Sequence, residues 1–312
     1  MNPTPLQLPG RNTLIAFFAI VLIGGTNFVA VKLSNVELPP LFGAGLRFAA
    51  AALVFLAIMR IRRMAMPAGK ALAGAAVYGT LSFGMVYGLL YFALLQMDVG
   101  TTSVIMAAVP LVTLILAVVQ GQERFTLRGV AGGALAVAGI GVLSYHTLEG
   151  SMPLVAVLAA IGGMVAASQA AVLVKGFPRS DPVTTNAVGM SVGAAGLLLA
   201  SVVFGESWVL PAQVSTWVAL VWLAGVGSVG LFGLFVFVIK TWKASASVYA
   251  LTLMPVVAVV LGAVLLGEAI TAQTVAGGIL VVVGVYVGAL SGSGRRRVSA
   301  DPSPLKVSGA AS

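Results

Sequence analysis

Ten apolar runs of roughly twenty residues follow one another along the chain, separated by short polar interruptions. A helix needs about 20 apolar residues to cross a bilayer, whereas barrel strands would show about 10 residues of alternating polarity. The runs lie at residues 13–32, 41–60, 71–95, 101–120, 127–145, 153–174, 183–204, 214–239, 245–266 and 271–290. They predict an all-α integral membrane protein with ten transmembrane helices.

The composition excludes a soluble protein and most kinds of catalytic centre. Of the 312 residues, 8% are charged and 60% are hydrophobic, so the charges could not cover a soluble globule, and disordered chains have the opposite bias. The chain has no cysteine and one histidine, His146. A thiolate nucleophile and a Cys-based or multi-His metal site are therefore excluded. We expect no cofactor and no metal centre, and we interpret His146 as a solvated loop residue.

The charges also orient the predicted helices. If the N-terminus is cytoplasmic, all of the 17 basic residues except Lys32 and Arg47 lie in or next to cytoplasmic segments. The outer segments carry acidic residues instead, at Glu37, Asp98, Glu149, Glu206 and Glu268. This distribution follows the positive-inside rule for an even number of spans, with both termini in the cytoplasm.

The chain repeats itself at an offset of 145 residues. The matched positions include Pro110 and Pro255, Glu123 and Glu268, and Val130–Gly133 and Val275–Gly278. The repeat predicts a cytoplasmic segment 1–12, a first repeat 13–150, a second repeat 151–290 and a basic, disordered cytoplasmic tail 291–312. Because each half holds five helices, an odd number, the second half is inverted in the membrane. Inverted repeats around a midplane site are typical of secondary transporters.

Two sequence motifs extend this pattern to a known family. One is the run GGTNFVAVK at 24–32, and the other is Glu-x-x-Thr followed by Gly-Gly and Gly near the end of each half. Over residues 13–290 the chain resembles the EamA type of the drug/metabolite transporter superfamily, most of all its YddG-type amino-acid exporters. The resemblance implies an inner-membrane protein that exports amino acids or related metabolites by alternating access. It also favours Asn27, beside the two glycines, as a substrate contact.

Polar and aromatic residues deep in the predicted helices are candidates for the wall of a substrate cavity. Small neutral donors and acceptors with a few rings suit a zwitterionic or neutral metabolite. The candidates are Asn27, Tyr78, Ser82, Ser168, Gln169, Trp222, Ser228, Tyr249 and Thr252. For each of them, a hydrogen bond between helices is an equally good interpretation.

Pro110 and Pro255 are further candidates, because a proline inside a helix removes a backbone donor. Each would free the carbonyl four residues earlier, at Met106 and Leu251. A freed carbonyl in a membrane is satisfied by a neighbour or lines a water-filled cavity, where it could accept from a substrate ammonium. The alternative is a pair of packing kinks.

Three basic residues near the predicted spans have two interpretations each. Arg47 either faces the cavity and meets a substrate carboxylate, or snorkels to the headgroups or pairs with Glu37, which is the commoner arrangement. We interpret Lys32 and Lys175 as interfacial anchors rather than gates. No Asp or Glu lies centrally in any span, and proton carriers use such groups. We therefore expect facilitated diffusion or exchange.

Other functions fit the sequence less well. A multidrug carrier would favour an intramembrane carboxylate, and a nucleotide-sugar carrier would need several buried basic residues. A membrane-embedded enzyme would need a catalytic cluster in the spans, and a channel has no need of inverted halves. We expect a small-molecule substrate and the lipid bilayer as partners, and no nucleic acid, since Arg295–Arg297 are explained as a topology determinant. The sequence is compatible with a monomer and leaves the oligomeric state open.

Overall fold

The computed structural model describes residues 10–122, 127–143, 153–173, 176–178, 180–241 and 244–287. At 143, 235, 236, 239–241, 244–249, 251 and 252 it describes the backbone alone. All regular secondary structure in these ranges is helical. The predicted tail 291–312, His146, Glu123 and Lys175 lie outside the described residues.

Helices α1 to α5 form the first half. They are α1 Arg11–Ser34, α2 Pro40–Ile61, α3 with the parts Gly69–Gly79, Thr80–Met85 and Val86–Gln96, α4 with the parts Val99–Ala107 and Val109–Val119, and α5 Leu127–Leu143. The middle part of α3 is π-helical. Proline at the first turn of α2 suits a helix start, because its fixed φ is helical and its missing N–H is not needed there.

Helices α6 to α10 form the second half. They are α6 Leu154–Leu173, α7 Pro182–Val203, α8 with the parts Val214–Val221, Trp222–Gly230 and Leu231–Thr241, α9 Ala244–Leu266, and α10 Ala272–Val285. The middle part of α8 is again π-helical. The Asp181 carboxylate accepts from the Val183 amide and caps α7, as an acidic residue before a helix commonly does.

Seven of the helices within the described residues are long and apolar enough to cross a membrane. They are Arg11–Ser34, Pro40–Ile61, Gly69–Gln96, Val99–Val119, Leu154–Leu173, Pro182–Val203 and Val214–Leu234. Leu127–Val142, Leu253–Leu266 and Ala272–Val285 are shorter apolar helices. Large apolar side chains such as Leu53 and Val221 lie exposed on their outer faces, where lipid would cover them. The predicted class, a helical membrane protein, is confirmed.

Contacts between the two halves occur in corresponding pairs. Helix α1 packs against α8 and α9, and α6 packs against α3 and α4. Helix α2 packs against α7, and α5 packs against α10. A shift of five helices along the chain exchanges each of these contacts with its counterpart. Such an exchange is what a two-fold relation between the halves produces.

The contact between α5 and α10 is formed by two pairs of glycines at repeat-related positions. A Cβ placed on Gly139 would lie 2.7 Å from the carbonyl oxygen of Gly277, and one placed on Gly284 would lie 2.6 Å from that of Gly132. The offset of 145 residues relates Gly139 to Gly284 and Gly132 to Gly277. The repeated motif therefore serves close backbone approach, the usual use of small residues between membrane helices.

This contact predicts an unequal response to two substitutions in α5. Gly139→Ala places a methyl group against a backbone carbonyl, and overpacking of this kind costs about 1–3 kcal/mol. Gly141→Ala meets nothing within 4 Å. In thermal unfolding of detergent-solubilised protein, Gly139→Ala is expected to lower Tm by several degrees and Gly141→Ala to leave it unchanged. Equal Tm values for the two variants would contradict the packing.

The expectation that Pro110 lies inside a helix is wrong. Helix α4 breaks at Ala108, and Pro110 stands in the first turn of its second part, where proline costs no hydrogen bond. The carbonyls of Ile105 and Met106 accept from backbone N–H groups at the break, so the Met106 carbonyl is not left open. Pro255, by contrast, lies inside α9 as predicted.

Candidate functional site

A cavity of about 920 Å³ lies between the two halves. Residues of the helices α1 to α4 and α6 to α9 line this cavity. At one end the wall consists of the starts of α3 and α7, with Ala71, Gly74, Pro182 and Thr185. A volume of this order is typical of a site for a small molecule.

A polar cluster stands at the cavity wall where α1, α2 and α8 meet. The Arg47 cluster, as we call it, consists of Asn27, Arg47, Gly227 and Ser228. The Asn27 Nδ2 donates to the Gly227 carbonyl at 3.0 Å, and the Arg47 Nη2 donates to the same carbonyl at 3.2 Å. The Arg47 Nε donates to the Ser228 Oγ at 3.1 Å. Two side chains from the first half thus converge on one turn of the second half.

The π-helical segments explain part of this geometry. Gly227 and Ser228 lie in the π-helical part of α8, and Ser82 lies in that of α3. The offset of 145 residues relates Ser82 to Gly227. Single π-helical turns widen a helix locally and occur often at functional sites. Both halves therefore present a widened turn at corresponding positions.

Aromatic rings form a second part of the site. The ring cluster consists of Phe48, Tyr78, Phe83, Tyr87 and Phe232. Neighbouring ring centroids lie 4.6 to 5.6 Å apart, in the range of favourable aromatic contacts. Of these rings, all but that of Phe48 line the cavity. The Arg47 guanidinium lies 4.9 Å from the Phe48 ring and 4.8 Å from the Tyr87 ring, so the polar and aromatic parts are contiguous.

The structure brings some of the residues predicted from sequence to this cavity and not others. Those in the wall are Asn27, Tyr78, Ser82, Met106 and Pro255. Those that do not line the wall are Pro110, Ser168, Gln169, Trp222 and Ser228. Ser228 still contributes, because it holds Arg47. The side chains of Tyr249 and Thr252 lie outside the described residues.

Two predicted residues of α6 make contacts between helices instead. The Ser168 Oγ is buried and donates to the Val109 carbonyl at 3.1 Å and the Met164 carbonyl at 2.9 Å. The bond to the Val109 carbonyl joins α6 to the break in α4. Gln169 accepts from the Gln120 Nε2 at 2.9 Å. Ser168 and Gln169 thus follow the alternative interpretation, hydrogen bonding between helices.

Arg47 is the residue whose placement differs most from the commoner interpretation. Its side chain is 1% exposed and lines the cavity; it neither snorkels nor pairs with Glu37. The Glu37 carboxylate instead accepts from the Thr216 hydroxyl and from the Gln213 and Ala212 amides, at the start of α8. Thr216 above all, and then these amides, lower the pKa of Glu37 below its usual range.

Lys32 has an acidic partner that its interpretation as an interfacial anchor did not include. Its Nζ lies 2.7 Å from the Glu268 carboxylate and donates to the Met97 carbonyl at 3.1 Å. The same carboxylate accepts from the Val99 amide at 2.9 Å, at the start of α4. Glu268 is largely shielded from solvent, with 10% of its side chain exposed. This ion pair joins the two halves one turn from Ser103, which lines the cavity.

Several residues of the site belong to no polar or charged pattern that would mark them in the sequence. Phe83, Tyr87 and Phe232 stood among many apolar residues of the same spans. Gly227 was related to Ser82 by the offset, and that relation is the signal that could have found it. Its role depends on a carbonyl, which no side-chain pattern reveals.

Comparison with known proteins identifies the class of molecule. A family model described as the EamA-like transporter family matches residues 11–145 and 154–289. The chain belongs to this family. The resemblance noted in the first helix and at the ends of the halves is thereby confirmed, and this EamA-like protein is a membrane transporter.

Two relatives of this EamA-like protein are named as a transporter and as an efflux pump. The "Uncharacterized inner membrane transporter YedA" of Escherichia coli is 31% identical over 259 residues, which are 82% of this chain and 83% of that protein. A "Probable amino-acid metabolite efflux pump" of Salmonella typhimurium is 28% identical over 285 residues, 86% of this chain and 91% of that protein. Over more than four fifths of its length, the chain is thus similar to a protein named as an inner membrane transporter and to one named as an efflux pump.

A solved structure agrees with the fold of this EamA-like transporter. A crystal structure of another protein superposes with a TM-score of 0.63 at 22% sequence identity, covering 89% of this chain and 98% of that one. At this identity the likeness concerns the fold alone.

Proposed function

We propose that this transporter exports amino acids or related small metabolites from the cytoplasm across the inner membrane by alternating access. The observation that carries the proposal is the cavity of about 920 Å³, which both halves line and beside which the Lys32–Glu268 pair joins them. The similarity to a protein named as an amino-acid metabolite efflux pump supports the substrate class. Carriers of this kind expose one site to either side by moving one half against the other.

The membrane arrangement that fits this mechanism has ten spans in two inverted repeats, 13–150 and 151–290, with both termini cytoplasmic. Three observations support it: the family model matches twice, the contacts between halves exchange under a five-helix shift, and the basic residues alternate as the positive-inside rule requires. In this arrangement the Lys32–Glu268 pair lies at the outer end. The starts of α3 and α7 lie at the cytoplasmic end, so the cavity reaches the side from which an exporter takes substrate.

Transport is facilitative or proceeds by exchange. Within the described residues, no Asp, Glu or His lines the cavity. Proton-coupled carriers commonly relay protons through such groups, so the wall offers no relay of this type. The driving force is then the gradient of the substrate itself or of an exchanged metabolite.

Counterflow in proteoliposomes tests the proposed function. Vesicles preloaded with an unlabelled amino acid are expected to accumulate the labelled compound transiently, because a carrier returns with bound substrate. An imposed pH gradient without a substrate gradient is expected to drive no uptake. If no amino acid or related metabolite of a broad panel gives counterflow, the proposed function fails, and uptake driven by the pH gradient would overturn the uncoupled mechanism.

A matched pair of variants connects this activity to the cavity. Asn27→Ala removes a side chain of the Arg47 cluster and is expected to lower counterflow roughly tenfold, the effect of losing a hydrogen bond at a buried site. Thr26→Ala removes a hydroxyl that bonds within its own helix, to the Leu22 carbonyl, outside the cavity wall. We expect Thr26→Ala to retain wild-type counterflow. An equal loss in both variants would show that α1 tolerates no change, and would remove the support for Asn27.

A further inference from the structure

Arg47 carries a positive charge at a depth where such a charge needs a partner. It follows Pro40, the start of α2, by seven residues, which is about 10 Å along a helix. Its side chain is 1% exposed. A cation buried in a membrane helix is expensive unless it is paired, and such residues generally mark a substrate or ion pathway.

The groups around Arg47 orient the guanidinium without neutralising it. Ser228 and the Gly227 carbonyl accept one hydrogen bond each, and the Phe48 and Tyr87 rings lie against the guanidinium. All four are neutral, and so is the buried hydroxyl of Tyr91, which lies near the guanidinium as well. A guanidinium has five N–H donors, and these contacts use two of them. The Nη1 atom is buried and has no hydrogen-bond partner in the described part of the chain.

No carboxylate among the described residues lies in the cavity wall with Arg47. Glu37 and Glu206 bind the backbone at the starts of α8 and α2, Asp181 caps α7, and Glu268 pairs with Lys32. Asp98 lies 3.8 Å from Lys32 as well. Within these ranges, Arg47 is also the one charged residue that lines the cavity, so the wall is positive where the cluster stands.

A second unpartnered atom lies in the same cluster. The Asn27 side chain is 9% exposed, and its Oδ1 is buried without a hydrogen-bond partner in the described residues. The bond from Nδ2 to the Gly227 carbonyl fixes which end of the amide is the acceptor. The cluster therefore holds a cationic donor, the Arg47 Nη1, and a neutral acceptor, the Asn27 Oδ1, that both lack a hydrogen-bond partner in the described residues. Both side chains donate to the Gly227 carbonyl through their other nitrogen atoms.

We propose that the Arg47 cluster is the subsite for the head group of an α-amino acid, with Arg47 binding the carboxylate and the Asn27 Oδ1 accepting from the ammonium. This inference rests on the proposed function and makes it more specific. A carboxylate on Arg47 forms a charge-assisted pair, which shielding from solvent strengthens. The ring cluster beside it offers an apolar surface, so the class of substrate is an α-amino acid with an apolar side chain.

The proposal discriminates among close analogues of one compound. A carboxamide keeps the ammonium and the side chain but cannot neutralise Arg47. A 2-oxo acid keeps the carboxylate but gives Asn27 no donor. An amino acid is the analogue that satisfies both atoms. Leaving a buried charged or polar group without a partner costs more free energy than a typical hydrogen bond contributes. Both analogues are therefore expected to bind less well than the amino acid.

Competition against counterflow in proteoliposomes tests these expectations. The probes are valine, leucine, methionine and phenylalanine, each with its carboxamide and its 2-oxo acid. For at least one amino acid we expect the carboxamide to compete roughly 100-fold less well, the effect of losing bonds to a charged group. In Arg47→Gln the acid and the carboxamide are expected to compete equally weakly. Arg47→Lys keeps the cation and is expected to retain the preference for the acid at lower affinity.

The outcomes separate this inference from the proposed function. Equal competition by acid and carboxamide in the wild type overturns the subsite and leaves amino-acid transport standing. A uniform loss for all probes in Arg47→Gln, with the preference for the acid unchanged, assigns Arg47 to packing and overturns it as well. A 2-oxo acid that competes as well as its amino acid, in the wild type and in Asn27→Ala alike, overturns the role of Asn27. If no amino acid or related metabolite of the broad panel gives counterflow, the proposed function fails together with the inference. If counterflow occurs only with compounds that lack an apolar side chain or an amino-acid head group, the inference alone fails.

Discussion

Gly227→Ala is expected to lower substrate transport roughly 30-fold or more, the cost of breaking bonds to a buried charged group. A Cβ on Gly227 would overlap the Oδ1 of Asn27. The Asn27 amide would have to give up its hydrogen bond to the Gly227 carbonyl, which also accepts a hydrogen bond from Arg47. One methyl group therefore disturbs both side chains of the Arg47 cluster that face the cavity, although Gly227 itself contributes only backbone.

Gly225→Ala is the matched control, because Gly225 lies in the same π-helical segment and a Cβ there meets nothing within 4 Å. Initial counterflow rates and Tm values of both variants check the prediction. We expect Gly225→Ala to transport at the wild-type rate. Because the damage of Gly227→Ala passes through Asn27, adding it to Asn27→Ala is expected to cost little more than Asn27→Ala alone. Additive losses, or a normal rate in Gly227→Ala, would contradict the geometry.

The dependence on Gly227 illustrates what the sequence could predict about this protein. The predictions of the spans, the repeat and the family all depend on features that are visible in the sequence alone: runs of apolar residues, a constant offset and short motifs. Asn27 was favoured because a motif contains it. The carbonyl that joins Asn27 and Arg47 left no comparable trace, because every residue has a carbonyl and only the widened turn in α8 gives this one two side-chain partners.

The rotation of each helix about its axis was harder to predict. In a soluble protein the polar face of a helix marks the outside. Here lipid and protein interior are both apolar, so the helices have little amphipathicity and polar residues do not identify one face. Ser168 and Ser82 looked alike in sequence, yet Ser168 bonds to the break in α4 and Ser82 lines the cavity. For the same reason, the position of Arg47 along α2 could be predicted, but not the side of the helix on which its side chain lies.

Replacing Glu268 with glutamine is expected to shift the transporter toward the state that is open at the outer end. The carboxylate binds the Lys32 ammonium at 2.7 Å and the Val99 amide at 2.9 Å, joining α1, α4 and the segment before α10. Glutamine keeps the size of the side chain but removes the charge. Lys32 is 29% exposed, so we reduce the loss expected of a fully buried pair to about 1–2 kcal/mol. That is a roughly 5- to 30-fold change in the balance between closed and open outer ends.

The absence of cysteine from the sequence makes this shift measurable. Ser103→Cys places one thiol on the cavity wall, one turn beyond Val99, where the side chain is 1% exposed. A membrane-impermeant maleimide added from outside reaches it only when the outer end opens. We expect faster labelling in Ser103→Cys combined with Glu268→Gln than in Ser103→Cys alone.

Glu206→Gln provides the control for the loss of a carboxylate that binds a helix start. Glu206 accepts from the Leu41 and Phe42 amides, as Glu268 accepts from Val99, and in the proposed arrangement it lies at the same end of the molecule. Within the described residues it has no basic partner. If the ion pair with Lys32 holds the outer end closed, adding Glu206→Gln to Ser103→Cys leaves the labelling rate of the introduced thiol unchanged. Equal acceleration by both variants would assign the effect to the helix starts, and no acceleration by Glu268→Gln would exclude the pair as a gate.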